Sequence, residues 1–374
     1  MICKRITVQG FRNIENEEIC FSDGVNLLRG DNAQGKTNLL EAIYYISLGK
    51  SFRGATEKEM IGFGKDFAYV SLDFRDSVRD QNISVTVSRD KRRRFEQNGV
   101  KIFKMTDIVG SLRAVLFSPD MLSLVKDGPS ERRSFLDTAL CQSHPVYMQS
   151  LTRFNKIVKQ RNKLLKDSET DRATVNATLP FWSEQLARES AVLARFRAEY
   201  TETAERFVKK FFSEMTNGNE DPSLNFVSSC KLSAEECKDT EKVYEAYLRL
   251  LTENVERECI VQSSLYGAHK DDIDIRLNGK SARDYASQGQ QRSLALAMKL
   301  SEGEICYSEC GEHPVFLLDD VLSELDPNRR SYLLREIENK QVIMTGCDDS
   351  STGDAKVIFV SNGTYTPEIY STSC

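Results

Sequence analysis

Residues 30–37, GDNAQGKT, bring two glycines, a lysine and a hydroxyl together at the spacing G-x-x-x-x-G-K-T. Glycines let a backbone wrap a chain of phosphates with its N–H groups turned inward, and a helix starting behind them adds partial positive charge. A lysine at this place reaches the β- and γ-phosphates, and the neighbouring hydroxyl ligates Mg²⁺. The chemistry expected is therefore binding of ATP and transfer of its terminal phosphoryl group. Gly30, Asp31, Asn32, Ala33, Gln34, Gly35, Lys36, Thr37 and Asn38 form the cradle, with Lys36 also acting on the reacting phosphate. A glycine-rich turn that merely caps a helix is the plainer alternative, and context argues against it. The apolar run Val25–Arg29 leads straight into the loop, and Leu39, Leu40, Ile43 and Tyr44 recur behind it at helical spacing until Gly49.

Such a loop needs an acidic partner for the metal. PVFLLDD, residues 314–320, places two carboxylates at the end of an apolar strand, where side chains face a phosphate crevice. Asp319 is the candidate for holding Mg²⁺, through water, and Asp320 for polarising the attacking water as general base. An apolar run that simply ends on Asp is the competing reading; SELD at 323–326 strengthens the functional one. A third element, SQGQQ at 287–291, opens a helix. Ser287, Gln288, Gly289 and Gln290 present a hydroxyl, amides and an unobstructed backbone at a helix N-terminus, which makes either a second anion cradle or an ordinary Ser N-cap.

The elements that must position these groups alternate along the chain. Residues 1–29 read as three strands and 36–48 as a helix. From Phe67 to Phe103 the period is two, with a hairpin signal at Asn98-Gly99, predicting an antiparallel sheet. Residues 113–118 read as another strand. Residues 119–258 read as mostly helical, with breaks near 167–178 and 217–223. Beyond 260 the chain reads as a strand with a turn at Asn278-Gly279, a helix from Gln290, a buried strand at 314–319, a helix from Pro327, and strands at 341–345 and 356–361. That alternation predicts an α/β layer with parallel strands. The expected domains are 1–118 with 260–374, and an inserted helical lobe, 119–259, which lacks the sustained heptads of a coiled-coil arm.

The 374 residues are 40% hydrophobic and 29% charged, without an apolar run long enough to span a bilayer, and the N-terminus does not read as a signal peptide. A cytoplasmic protein without membrane attachment is expected, its ten cysteines free thiols rather than a disulfide framework. The formal net charge is −5, yet Arg153–Lys166 holds six basic residues and no acidic one, and KRRR at 91–94 adds a second cluster. These are solvated faces or a phosphate-binding surface. Cys306, Cys310 and His313 are too few and too poorly spaced for a zinc site. His269, beside Lys270, Asp271 and Asp272, reads as part of a local charged network.

Together the loop, SQGQ and LLDD elements resemble the ABC-type ATPases, in the subgroup of the structural-maintenance-of-chromosomes heads. FRNI at 11–14, SFR at 51–53, FSPDMLSLVKDGPSERRSFLD at 117–137, YGAHKDDI at 266–273 and LLDDVLSELD are similar to the RecF-type branch of bacterial DNA replication and repair proteins. The resemblance implies an ABC-type head with an antiparallel β subdomain and a compact helical lobe. It implies ATP and Mg²⁺ as cofactors and a homodimer joined head to tail by ATP, with Ser287, Gln288, Gly289 and Gln290 contacting the nucleotide of the second copy. Arg12 and Asn13 would lie near its α-phosphate and base. The partners implied are double-stranded DNA, its junctions with single strands, and recombination mediator proteins that load recombinase on gaps. Hydrolysis would be weak without DNA and would release the dimer. A small-molecule kinase or the motor subunit of a transporter is the alternative. The residues that follow the third nucleotide strand, Thr345-Gly346-Cys347-Asp348, depart from the His common in ABC ATPases, and Asp320 stands where most carry Glu.

Overall fold

Apolar runs and alternating runs build two different sheets, seen in a computed structural model that describes residues 1–216, 218, 220–346 and 355–368. Contacts divide the chain into two units, one formed by Met1–Met121 and the segment from Glu302 onward, the other by Leu122–Ser301.

In the first unit the continuous apolar runs Val25–Arg29, Ala114–Phe117, Val315–Leu318, Val342–Gly346 and Lys356–Ser361 pair in parallel. Strands covered on both faces need such runs. The order across the sheet is 364–367, 356–361, 25–29, 342–346, 315–318, 114–117, with Thr364–Pro367 antiparallel at the edge. The alternating runs form an antiparallel sheet in the order 14–20, 2–11, 67–75, 80–88, 94–97, 100–102. Along Phe67–Arg75 every second residue is buried, and the turn at Asn98-Gly99 joins the last two strands as expected. Helix Lys36–Leu48 touches strands of both sheets, which is why it is buried nearly all round and not amphipathic. Gly49 ends it in the left-handed region. The buried amide of Gln341 ties the ends of the two sheets together, accepting from Cys3 N–H and donating to the carbonyls of Cys3 and Ser22. The strand Thr364–Pro367 was not anticipated in the sequence.

The second unit is built on a 45-residue helix, Arg172–Thr216, about 68 Å long at 1.5 Å per residue. Helices Pro145–Lys166 and Thr240–Glu253 pack along it, giving a lobe of antiparallel neighbours rather than an extended arm. The expected break to residue 178 is shorter, covering only 167–171. Pro180 lies inside the helix, where it removes a backbone donor. Leu165, Val175, Leu179 and Cys259 form a buried apolar cluster that holds the turns ahead of the proline. The strand Pro222–Val227, read as loop and helix, pairs with Asp272–Leu277. That pairing draws residues 260–301 into this unit, so the second junction falls inside helix Gln288–Cys310 and not at 260.

Two buried ionic groups organise this unit. Arg161 and Glu258, both without exposure, meet at 2.5 Å, and Arg161 also donates to Ser183 and Ser264. Arg197 donates to Asp137 (2.8 Å) and to the Tyr147 hydroxyl (2.9 Å). The His269 ring is buried against Phe154, with Nε2 3.0 Å from the Ser264 carbonyl, and burial pulls its pKa down to about 4. Beside burial, the charges of Lys270, Arg133 and Arg161 act on His269.

Removing one partner of a buried pair strands the other charge. Arg161→Met is expected to lower the unfolding free energy by about 3–5 kcal/mol, and Arg161→Met with Glu258→Leu to restore most of it. Urea unfolding of the two variants checks this; a double variant no better than the single one would refute it.

Candidate nucleotide site

Because five strands of one sheet run the same way, their carboxyl ends open on one edge, and the loops leaving that edge converge. Strand Val25–Arg29 delivers the glycine loop, Val315–Leu318 delivers Asp319 and Asp320, Val342–Gly346 delivers Thr345, and Ala114–Phe117 delivers Ser118. These residues line or adjoin a cleft of about 850 Å³.

The loop is held from behind. Gly30 passes so close to the strand Lys356–Ser361 that a Cβ there would lie 2.2 Å from the Val360 carbonyl. Gly35 has φ 119°, and a Cβ on it would lie 2.9 Å from Asn13 Oδ1. Gln34 accepts from the backbone N–H of Asn362 with its side chain (2.7 Å) and of Gly363 with its carbonyl (2.8 Å). The buried Tyr365 hydroxyl donates to the Gly35 carbonyl at 2.8 Å. The hairpin 356–367 thus fixes the loop's rear face.

On the cleft side, Lys36 is 4% exposed and its ammonium donates to the carbonyls of Gly30 (2.5 Å) and Asp31 (3.1 Å). Thr37 donates to Asp319 Oδ1 at 2.8 Å. Burial pushes the Asp319 carboxyl up; the neighbouring Asp320 adds to this, while the Thr37 and Thr345 hydroxyls oppose it. Asp320 has φ 48°, a left-handed backbone that costs a side-chain-bearing residue on the order of 1–3 kcal/mol. Its N–H donates to Thr345 Oγ1 at 2.8 Å, and that hydroxyl lies 3.2 Å from an oxygen of each aspartate. A divalent cation fits here: Thr37 and Asp319 offer hard oxygen ligands already in contact, and the Thr37 hydroxyl would turn its proton away to give a cation its lone pair.

The structure brings Arg12, Asn13, Asn32, Ala33, Gly35, Lys36, Thr37, Asn38, Asp319 and Asp320 to one cleft. Gly30, Asp31 and Gln34 instead line a smaller depression beside the strand 356–361, so they shape the loop from behind. Arg12 forks onto the fully buried Glu41 (2.9 and 2.7 Å) and donates to the Glu59 carbonyl. Ser51 also donates to Glu41, and Arg53 stands 3.8 Å from it. Asn13 donates to the Gln34 carbonyl and accepts from Asn38. Ser287–Gln290 belong to the other unit. There Ser287 N–H donates to Gln290 Oε1 (2.6 Å) and Gln290 N–H to Ser287 Oγ (3.3 Å), a reciprocal capping box on an exposed helix start.

Sequence reasoning assigned no role to Glu41, Thr345, Tyr365 or Phe63. Glu41 reads as one more polar helix residue, and Thr345 as the end of an apolar strand. Phe63, between two glycines, is wholly exposed and lines the cleft. Cys347 and Asp348, part of the segment that stands where ABC ATPases commonly carry a His, lie outside the described residues.

The profile of the RecF/RecN/SMC N terminal domain family matches residues 2–362. The chain is 37% identical over 374 residues to the DNA replication and repair protein RecF of Shouchella clausii (strain KSM-K16), covering 97% of this chain and 99% of that one. It is 35% identical over 368 residues to the protein of the same name from Clostridium perfringens (strain SM101 / Type A), with the same coverage. The solved structure of the recombination mediator protein RecF-ATPrS in RecFOR pathway superimposes with a TM-score of 0.92 at 34% identity over 98% of both chains. An Smc head domain from Pyrococcus furiosus gives 0.56 at 17% identity over 98% of this chain and 96% of that one, a likeness of fold alone.

Asp319→Asn keeps the partner of Thr37 and removes the charge a cation needs. With a fluorescent ATP analogue titrated with and without Mg²⁺, the gain in affinity from Mg²⁺ is expected to disappear in Asp319→Asn. Thr345→Val should instead leave binding intact and slow turnover by roughly 10- to 100-fold, the usual effect of losing a group that orients ligands. Equal effects of both variants on binding would contradict these separate roles.

Proposed function

The chain belongs to the RecF/RecN/SMC N terminal domain family, and from that premise we propose that it is an ATP-hydrolysing, DNA-binding protein of replication and recombinational gap repair. The observation that supports this most is the joining of Lys36, Thr37, Asp319, Asp320 and Thr345 at one sheet edge. A phosphate chain with its cation gives each of these groups a task.

ATP enters along the glycine loop, and Lys36 exchanges the loop carbonyls for phosphate oxygens. Thr37, and Asp319 through water, would hold Mg²⁺, which would supply positive charge against the β- and γ-phosphates. Water attacks the γ-phosphorus, the bond to the bridging oxygen breaks, and ADP and phosphate form. Asp320 takes the water's proton, its carboxylate aimed by the turned backbone and by Thr345. A carboxylate one methylene shorter than Glu reaches this water from farther back, which agrees with slow turnover.

Ser287–Gln290 carry donors at an exposed helix start, and in the proposed mechanism they close over the ATP of a second copy, joined head to tail. ATP binding assembles the dimer and hydrolysis releases it. The DNA-facing surface is narrower than the basic run suggested. Arg161 is internal and Arg153 is held by Glu189, leaving Lys156, Lys159, Lys163 and Lys166 exposed. Their spacing keeps them on one face of the helix over about 15 Å. This stripe contacts duplex phosphates without reading sequence, at or beside junctions with single strands. Mediator proteins that load recombinase are the partners in this reading; the similar solved structures are themselves described as the recombination mediator protein RecF in RecFOR pathway. Among the described residues no helix is long and apolar enough to cross a membrane.

Size-exclusion chromatography with light scattering tests the composite site. Wild type should dimerise with ATP, whereas Lys36→Met and Ser287→Arg should stay monomeric; normal dimerisation of Ser287→Arg would sink the head-to-tail arrangement. Changing the four lysines to glutamine should lower the salt dependence of duplex binding by a slope of about 3–4, near 0.9 per lost phosphate contact. It should also abolish stimulation of hydrolysis by DNA. An unchanged slope would exclude the stripe.

A further inference from the structure

Residues 89–104 contain seven basic and two acidic residues, a local net charge of +5 in a chain of net −5. They form the last two strands of the antiparallel sheet and the loop before them. Arg89, Lys91, Arg92, Arg94, Lys101 and Lys104 are all exposed. Among the described residues, the side chains of Lys91, Arg92, Arg94, Lys101 and Lys104 have no hydrogen bond or ion pair, so this charge is not neutralised locally.

The sheet sorts its residues by face. Val8, Val70, Val85, Phe95 and Ile102 are register partners across five strands, and the first four are buried. The neighbouring row, Gln9, Tyr69, Thr86 and Arg94, therefore faces the opposite way. Phe67 and Ser88, themselves partners, lie two residues along that face, and Phe67 is 47% exposed. Phe103 follows Lys101 at the same two-residue spacing and is 94% exposed. Two exposed aromatic rings thus lie among unpaired cations and hydroxyls on one sheet face, the combination that single-strand binding surfaces use.

The platform is also held rigidly. Arg93 turns inward, donates to the Gly49 carbonyl at the end of the glycine-loop helix (2.8 Å), and pairs with Glu57 (2.9 Å). Its guanidinium lies over the Phe95 ring at 5.3 Å.

We infer that this outer sheet face binds single-stranded nucleic acid, with Phe103 and Phe67 stacking on unpaired bases and Arg94, Lys101 and their neighbours following the phosphates. The inference rests on the DNA-binding function proposed above and adds a surface separate from the lysine stripe. Aromatic faces select the single strand, because in a duplex the base faces are already stacked on one another. An acidic protein would match the charge, but it would leave the exposed rings without a planar partner.

Fluorescence anisotropy with a labelled oligo-dT and with a labelled duplex, over a salt series, tests this on the full chain. Phe103→Ala should weaken oligo-dT binding roughly 5- to 150-fold, the range for losing one stacked base, and leave duplex binding unchanged. Phe103→Trp should preserve oligo-dT binding. Arg94→Gln with Lys101→Gln should lower the single-strand salt slope by about 1.4, at 0.7 per contact. Because Phe103 is exposed, thermal unfolding midpoints should not move. Oligo-dT binding unchanged in Phe103→Ala, or weakened no more than duplex binding, overturns the inference. So does polyglutamate that displaces oligo-dT from wild type yet binds less tightly to Phe103→Ala, the mark of a protein-docking face. If duplex still binds through the lysine stripe, only this inference fails; if wild type binds no DNA of either kind, the proposed function fails with it.

Discussion

The hydrogen bond from Thr37 to Asp319 joins residues 282 positions apart, and the site exists only while it and its surroundings hold. A carboxylate at the mouth of an apolar sheet is poorly solvated and needs partners fixed in advance. Thr37 is fixed because its helix is wedged between two sheets. Asp319 is fixed because its strand lies between 114–117 and 342–346 and its N–H donates to the Phe117 carbonyl. Thr345 then holds Asp320 in a backbone conformation that Asp rarely adopts. Ordinary hydrophobic burial thus sustains a concentration of negative charge that a cation and a phosphate chain can complete.

The same logic governs the cations. Arg12, Arg161 and Arg197 each point inward onto a carboxylate, and each joins segments distant in sequence. Their worth lies in orientation more than in net stability, since a well-packed apolar substitute often does as well. Glu41 gathers Arg12, Ser51 and Arg53 around one buried point, coupling three segments of the cleft wall through a single carboxylate.

Much of this was legible because it is local. The glycine loop, the Gly49 stop, the Asn98-Gly99 hairpin and the apolar strand before Asp319 all declare themselves within a few residues. Long-range matters stayed hidden. Nothing near Pro222–Val227 reveals a partner at 272–277, and Pro180 looks like a stop until the apolar cluster around Val175 and Leu179 is seen. Arg161 could not be told from its lysine neighbours by charge; only its place in the helical period assigns it to the interior. Thr345 was named only as part of a departing segment, because a threonine ending a buried strand is commonplace and its contacts with Asp319 and Asp320 are long-range. Composition likewise marked 91–94 as basic, but Arg93 parts from its neighbours only in three dimensions.

The brace behind the glycine loop comes from residues far away in sequence. Gln34 and Gly35 are held by Asn362, Gly363 and Tyr365, some 330 residues later. During synthesis, then, the loop leaves the ribosome long before the residues that shape its rear face. Closing so large a loop makes this pairing a late event in folding. A nascent or truncated chain would carry the full phosphate motif without the conformation that makes it a site. The shape of the phosphate loop in this way waits on residues 362–365.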